Sequence, residues 1–161
     1  HFDAHADLRD KYNGEKYSHA TAIRRCLDHK NVKVISFGIR NLSKGEMNFY
    51  KKNKKKIKIF WSSEKDKWKI SKIRKIFKNK NVYITFDVDG FDSSLMPATG
   101  TPEPGGMFWH DVMPILKNVC SVSNVVGADI NELAPIKNFN SCNFLTAKLA
   151  YKILSYVFES K

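Results

Sequence analysis

The sequence predicts an α/β fold, three-layer αβα, with helices on both faces of a mainly parallel sheet. Short β-branched runs alternate with longer amphipathic ones, the best-marked strand-like run is apolar almost throughout, and acidic residues gather at the strand ends. Strands joined through helices imply right-handed crossovers, and ligands of such sheets bind beyond the carboxyl ends of the strands. At 161 residues and 42% hydrophobic content the chain is sized for a single domain, 1–161, with a sizeable core.

The elements follow in order. Residues 31–40 (NVKVISFGIR) are nearly continuous in apolar character and read as a buried strand. Ser43 with Glu46 three residues on is a capping-box pattern that opens a short helix towards Tyr50. Residues 56–61 (KIKIFW) alternate polar and apolar, a strand with one more exposed face. Trp68, Ile70, Ile73, Ile76 and Phe77 recur at helical spacing among lysines, predicting a helix over 64–79. Residues 81–87 (NVYITFD) form a second strong strand pattern. The Pro/Gly-rich stretch 90–106 is too long for a plain connector and is expected to be a functional loop. A helix over 109–118 must carry Pro114 in its first turns or kink there. Residues 124–131 (NVVGADIN) read as a strand and 143–159 as a final amphipathic helix, with no internal repeat and no second domain.

Charge and composition exclude several classes of function. The 28 basic and 16 acidic residues leave +12, but the excess sits in the lysine-rich stretch 51–80, which reads as a solvated face. A nucleic-acid-binding protein would use that stretch with Trp61, Trp68 and Phe77, yet Trp68 and Phe77 share helical spacing with isoleucines and fit core packing better, so no nucleic-acid partner is expected. No apolar run approaches a membrane span and no membrane partner is expected. Cys26, Cys120 and Cys142 are odd in number and scattered, which fits a reducing, cytoplasmic setting.

The acids sit where the chemistry is expected. Asp3-Ala4-His5-Ala6-Asp7 places three donors two residues apart, so in extended backbone they face one space. Asp87-Val88-Asp89 repeats that spacing after an apolar strand, and Asp129-Ile130-Asn131-Glu132 follows another. Carboxylates gathered on an apolar scaffold repel one another unless cations join them. Four aspartates (Asp3, Asp7, Asp87, Asp89) carry about −4, which two divalent ions would neutralise, and oxygen donors with one imidazole suit manganese.

In these segments, with KYSHATAIRR (16–25), FGIR (37–40), TFDVDGFDSSLMPATGTPEPGG (85–106) and ADINELAP (128–135), the chain resembles the ureohydrolases, the arginases, agmatinases and their relatives, and within them the agmatinases most. The resemblance implies an arginase-like fold and manganese-dependent hydrolysis of a guanidino compound by a metal-bridging hydroxide, agmatine to putrescine and urea first. It implies that Asp3 and Asp87 bridge two manganese ions, that Asp7 completes one shell and that His5 and Asp89 complete the other. Glu132 then matches the acid that pairs with the substrate guanidinium, His19 the proton shuttle, and Thr101 a threonine at the guanidinium end of the pocket. The implied partner is a small cationic guanidino substrate, and the family's habit implies a homo-oligomer, trimer or hexamer. Alternatives are another ureohydrolase (a guanidinobutyrase or an arginase), a basic nucleic-acid-binding protein, or a non-catalytic homologue.

The chain departs from the family pattern in places. A Gly-Gly-x-His segment that supplies one more ligand lies outside it, so the chain is expected to be the C-terminal part of a ureohydrolase catalytic domain, lacking early strands and poorly active or unfolded alone. Ser93 stands where a proline is usual, Asp92 reads as a turn residue, and His1, His29 and His110 read as structural.

Overall fold

A computed structural model describes residues 1–159. In chain order it forms α1 (Ala22–Cys26), β1 (Val34–Ile39), α2 (Lys44–Lys52), β2 (Ile57–Trp61), α3 (Ile70–Phe77), β3 (Asn81–Asp87), α4 (Trp109–Val122), β4 (Asn124–Asn131) and α5 (Ser141–Glu159). β1 pairs with β2, and β3 with β4, both in parallel. The chain around Phe2 fills the gap between the two pairs, bridging Phe37 of β1 on one side and Phe86 of β3 on the other. Its backbone completes both ladders: Phe2 N–H donates to Thr85 O (3.0 Å), Asp87 N–H to Phe2 O (2.9 Å) and Asp3 N–H to Phe37 O (3.1 Å).

Side chains explain why the pairs join in this register. The rings of Phe60, Phe37, Phe2, Phe86 and Phe91 run side by side across the sheet, with successive centroids 4.7, 5.1, 4.9 and 5.1 Å apart. Each such pair contributes about 0.5–1.5 kcal/mol beyond its buried area. The ladder belongs to the larger core, where Ile73 of α3, Leu116 of α4 and Leu149 of α5 pack against one face of the sheet. The other face of β1 and β2 buries Val34, Ile39, Ile57 and Ile59 against Ile23 of α1 and Phe49 and Tyr50 of α2. Helices thus cover both faces of the β1–β2 pair, with Ile35 and Phe37 of β1 in one core and Val34 and Ile39 in the other, across a register shift between Phe37 and Ile39. Tyr83 of β3 and Val126 of β4 remain exposed: an α/β fold with helices on both sides of a parallel sheet.

Most elements lie where the sequence places them. The Ser43–Glu46 capping box is formed, with Ser43 Oγ accepting from Glu46 N–H and Glu46 accepting from Ser43 N–H. The helix expected over 64–79 is a correction: Ser62–Lys67 forms a 3-10 turn, Trp68 and Lys69 are extended, and α3 begins only at Ile70. Trp68 is drawn out of the helix by its ring, which packs edge-on against Phe37 and Phe60. α4 runs past the expected end at 118 to Val122, through Pro114, because Val112, Ile115, Leu116 and Val119 continue its buried face. α1, which no long periodicity announces, forms behind a capping box of Ser18 and Thr21. Trp68 and Phe77 pack against the larger core and Trp61 against the smaller, so these rings are not presented to solvent as a stacking platform. The three cysteines are free, and no helix among the described residues is long and apolar enough to cross a membrane.

Candidate metal centre

The phenylalanine ladder sets the acids level. Asp3 follows Phe2 and Asp87 follows Phe86, so pairing the two rings brings both carboxylates to the same end of the sheet. After Asp87 the chain turns as Val88–Gly90, with Asp89 N–H donating to Asp87 Oδ1 (2.9 Å) and Asp89 Oδ1 accepting from Ala4 N–H (3.0 Å). A Cβ on Gly90 would meet Asp3 N at 2.9 Å, so only glycine lets this turn lie against the Asp3 segment. His5 Nδ1 lies 2.9 Å from Asp89 Oδ2 and 3.5 Å from Asp3 Oδ1. Asp7 is held in the left-handed region (φ 51°), and its carbonyl accepts from Arg24 N–H of α1 (3.0 Å).

Donor atoms of Asp3, His5 and Asp89 lie within 4.8 Å of one another, as do those of His1, Asp3 and Asp7. Burial, with the negative charge of Asp3 beside it, pushes the Asp7 carboxyl up to about 7, and the same two causes push Asp87 up to about 9. Hydrogen bonding to Asp3 and Asp89 raises His5 to about 10. Burial works against the Asp3 carboxylate too, but His1 and His5 outweigh it and hold that group below the usual carboxylate range. The cluster holds more acid than can ionise side by side, the condition that divalent cations relieve. Each of the two groups joins carboxylates to one imidazole, a donor set that suits a hard or borderline cation.

A cavity of about 470 Å³ opens at the acid cluster, and all eight residues singled out in the sequence line it: Asp3, His5, Asp7, His19, Asp87, Asp89, Thr101 and Glu132. Thr101 Oγ1 donates to Asp89 Oδ2 (3.3 Å), so it supports a candidate ligand as well as lining the wall. Glu132, just past β4, is exposed and also left-handed (φ 65°). His19 is exposed, on the 3-10 turn before α1, and its ring meets Tyr12 edge-on at 5.2 Å. Asp129 is not among the lining residues; it accepts from Thr85 Oγ1 (2.7 Å). His29 and His110 are exposed and also away from the cavity. Asp92 accepts from Ser94 and from Gly106 N–H, and the Ser94 hydroxyl above all holds its carboxyl down to about 2.

Sequence reasoning missed part of the surroundings. The His1 side chain is buried against the cluster, its Nε2 2.7 Å from Asp3 Oδ2 and its Nδ1 3.1 Å from Ser36 Oγ. The two-residue spacing that collects Asp3, His5 and Asp7 runs back to His1 and was the available signal. Arg9, Asn41, Glu46 and Glu103 also line the cavity, and no periodicity marks them.

Comparison with known proteins agrees with this geometry. The model of the arginase family matches residues 1–158. The N(1)-aminopropylagmatine ureohydrolase of Synechocystis sp. is 37% identical over 99% of this chain and 52% of its own length. The agmatinase of Pyrococcus horikoshii is 35% identical over 95% and 53%. The crystal structure of the agmatine ureohydrolase of Thermoplasma volcanium superposes with a TM-score of 0.83 at 34% identity, over 97% of this chain and 53% of that one. The chain therefore spans about half the length of the relatives it matches. With its paired acids level at the sheet's carboxyl end and its fold shared with these enzymes, the chain belongs to the arginase family.

Proposed function

We propose that the protein hydrolyses the guanidino group of a small cationic guanidino compound, agmatine first, releasing urea and a primary amine, which from agmatine is putrescine. One observation carries this reading: five candidate metal donors, a free-standing carboxylate at Glu132 and an imidazole at His19 line a single cavity. Asp3, His5, Asp7, Asp87 and Asp89 would hold two Mn(II) ions. When bound, the ions would supply hydroxide near neutral pH by lowering the pKa of a water.

The chain's own residues do the rest. Glu132 offers a planar carboxylate, the geometric complement of a guanidinium, and so orients the carbon to be attacked. Its backbone strain is consistent with a side chain held for a task. His19, at the exposed rim, hands a proton to the departing amine, a transfer to which an imidazole is suited near neutral pH. Thr101 keeps Asp89 aligned through their hydrogen bond. A reducing, cytoplasmic setting and a homo-oligomer, trimer or hexamer, go with this reading.

The second substrate reading is N1-aminopropylagmatine, favoured by the 37% identity to the Synechocystis enzyme. Both compounds present the same guanidinium to Glu132 and differ only in the tail. Urea release by the manganese-loaded full-length gene product is the test, across agmatine, N1-aminopropylagmatine, guanidinobutyrate and arginine. Turnover of either amine-tailed compound is expected; exclusive turnover of guanidinobutyrate would sink the substrate reading and keep the reaction.

A further inference from the structure

One polar network outside the groups already assigned reaches the cavity. Arg40 directly follows β1, and its guanidinium donates to the backbone carbonyls of Asp89 and Glu103, both at 2.8 Å, and of Pro104 at 3.0 Å. A single rigid, planar group thus ties the turn that carries Asp89 to the loop that carries Glu103. Ser93 N–H donates to the same Glu103 carbonyl (3.3 Å), a bond that a proline at this position could not make. The backbone at Glu103 is fixed from two sides.

The side chain is aimed as well. Asn41 Nδ2 donates to Glu103 Oε1, and that oxygen lies 3.7 Å from His5 Nε2. The other ring nitrogen, Nδ1, faces Asp89 and Asp3. A neutral imidazole carries one N–H. If Nδ1 gives its lone pair to a cation, the proton sits on Nε2 and needs an acceptor. Among the described residues the acid paired with Nε2 is Glu103.

We propose that Glu103 is a positioning residue for the metal centre: its carboxylate, held by Asn41 and by the Arg40 clamp on its backbone, accepts a hydrogen bond from the Nε2–H of His5 and fixes the tautomer and ring plane in which His5 offers Nδ1 to a divalent cation. This rests on the binuclear reading of the cavity. At 3.7 Å the contact is longer than a hydrogen bond, and the Glu103 side chain, 29% exposed, has the freedom to close it once Nδ1 is given to a cation and the remaining N–H is on Nε2. Losing such an outer partner typically weakens metal binding about 10- to 100-fold.

The test is Mn(II) titration by calorimetry and chelator competition on the full-length gene product, with Glu103→Gln and Asn41→Ala variants and agmatine kinetics alongside. The wild type is expected to bind two ions per chain. In Glu103→Gln one of the two is expected to bind ~10- to 100-fold more weakly. Asn41→Ala should move the same way by less, and it carries the test if the first variant does not fold. Saturating manganese should restore turnover with an unchanged KM. Wild-type Mn(II) affinity in both variants overturns the proposal, and a raised KM for agmatine alongside it would assign Glu103 to the substrate's tail. A wild type that binds no manganese is a different failure, since it removes the binuclear reading itself.

Discussion

Among the described residues five non-glycine residues adopt positive φ, and three of them are asparagines, the side chain that tolerates this region best. The other two are Asp7 and Glu132, which line the cavity. An ordinary side chain in that conformation costs about 1 kcal/mol. Glu132→Gly should therefore raise the stability of the metal-free protein by roughly 0.5–1 kcal/mol while removing urea release. Thermal melts of the two forms in chelator check this, and a lower melting point in the variant would contradict it. The raised pKa values at the site give a second expectation. Asp7, Asp87 and His5 all titrate higher when folded than when unfolded, so the folded state binds more protons between about pH 4 and 10. Stability of the metal-free protein then falls as pH rises through that window. Asp3 is shifted the other way and adds a loss of stability only on acidification below about pH 4. Cations need the deprotonated ligands, so the stabilisation by manganese grows over the same window. Melts at pH 6 and pH 9, with manganese and with chelator, should show the gap widening; a gap that narrows would be inconsistent with the site.

At the scale of elements, close approach rather than any one contact places the candidate ligands. The ladder of phenylalanines levels Asp3 with Asp87, and Gly90 lets the Val88–Gly90 turn sit on the Asp3 backbone. Gly90→Ala is expected to cost about 1–3 kcal/mol and to weaken manganese binding, because the intruding methyl meets backbone that cannot swing aside. Denaturant unfolding and a manganese titration read the two effects, and an unchanged titration would separate the turn from the site. β3 and β4 were legible to the residue, since β-branched runs bounded by asparagines and acids leave little choice of ends. The break before α3 was not: lysines and isoleucines keep helical spacing through Trp68, and only the tertiary pull of Phe37 and Phe60 on its ring shows that the helix starts later. α1 is five residues long, too short for periodicity to register.

For the molecule as a whole, the site was more legible than its support. Candidate donors at two-residue spacing are visible in one dimension, although Asp7 is left-handed and Asp89 lies in a 3-10 turn rather than in the extended backbone that spacing suggests. Arg40, Asn41 and Glu103, by contrast, become partners only when β1 and the 90–106 loop meet. The lysine-rich stretch that dominates the net charge lies away from the cavity, whose charged lining residues are mostly acidic. An acid-walled pocket suits a cationic guanidinium with an amine tail, and Glu132 is the residue on which the proposed chemistry turns. The most direct measurement is kcat/KM for urea release from agmatine and N1-aminopropylagmatine by the manganese-loaded full-length gene product, compared with Glu132→Gln at equal metal content. A fall of about 100-fold or more with both ions retained is expected for the substrate that is turned over. Two bound ions with no urea from either compound, or full activity in Glu132→Gln, would contradict it.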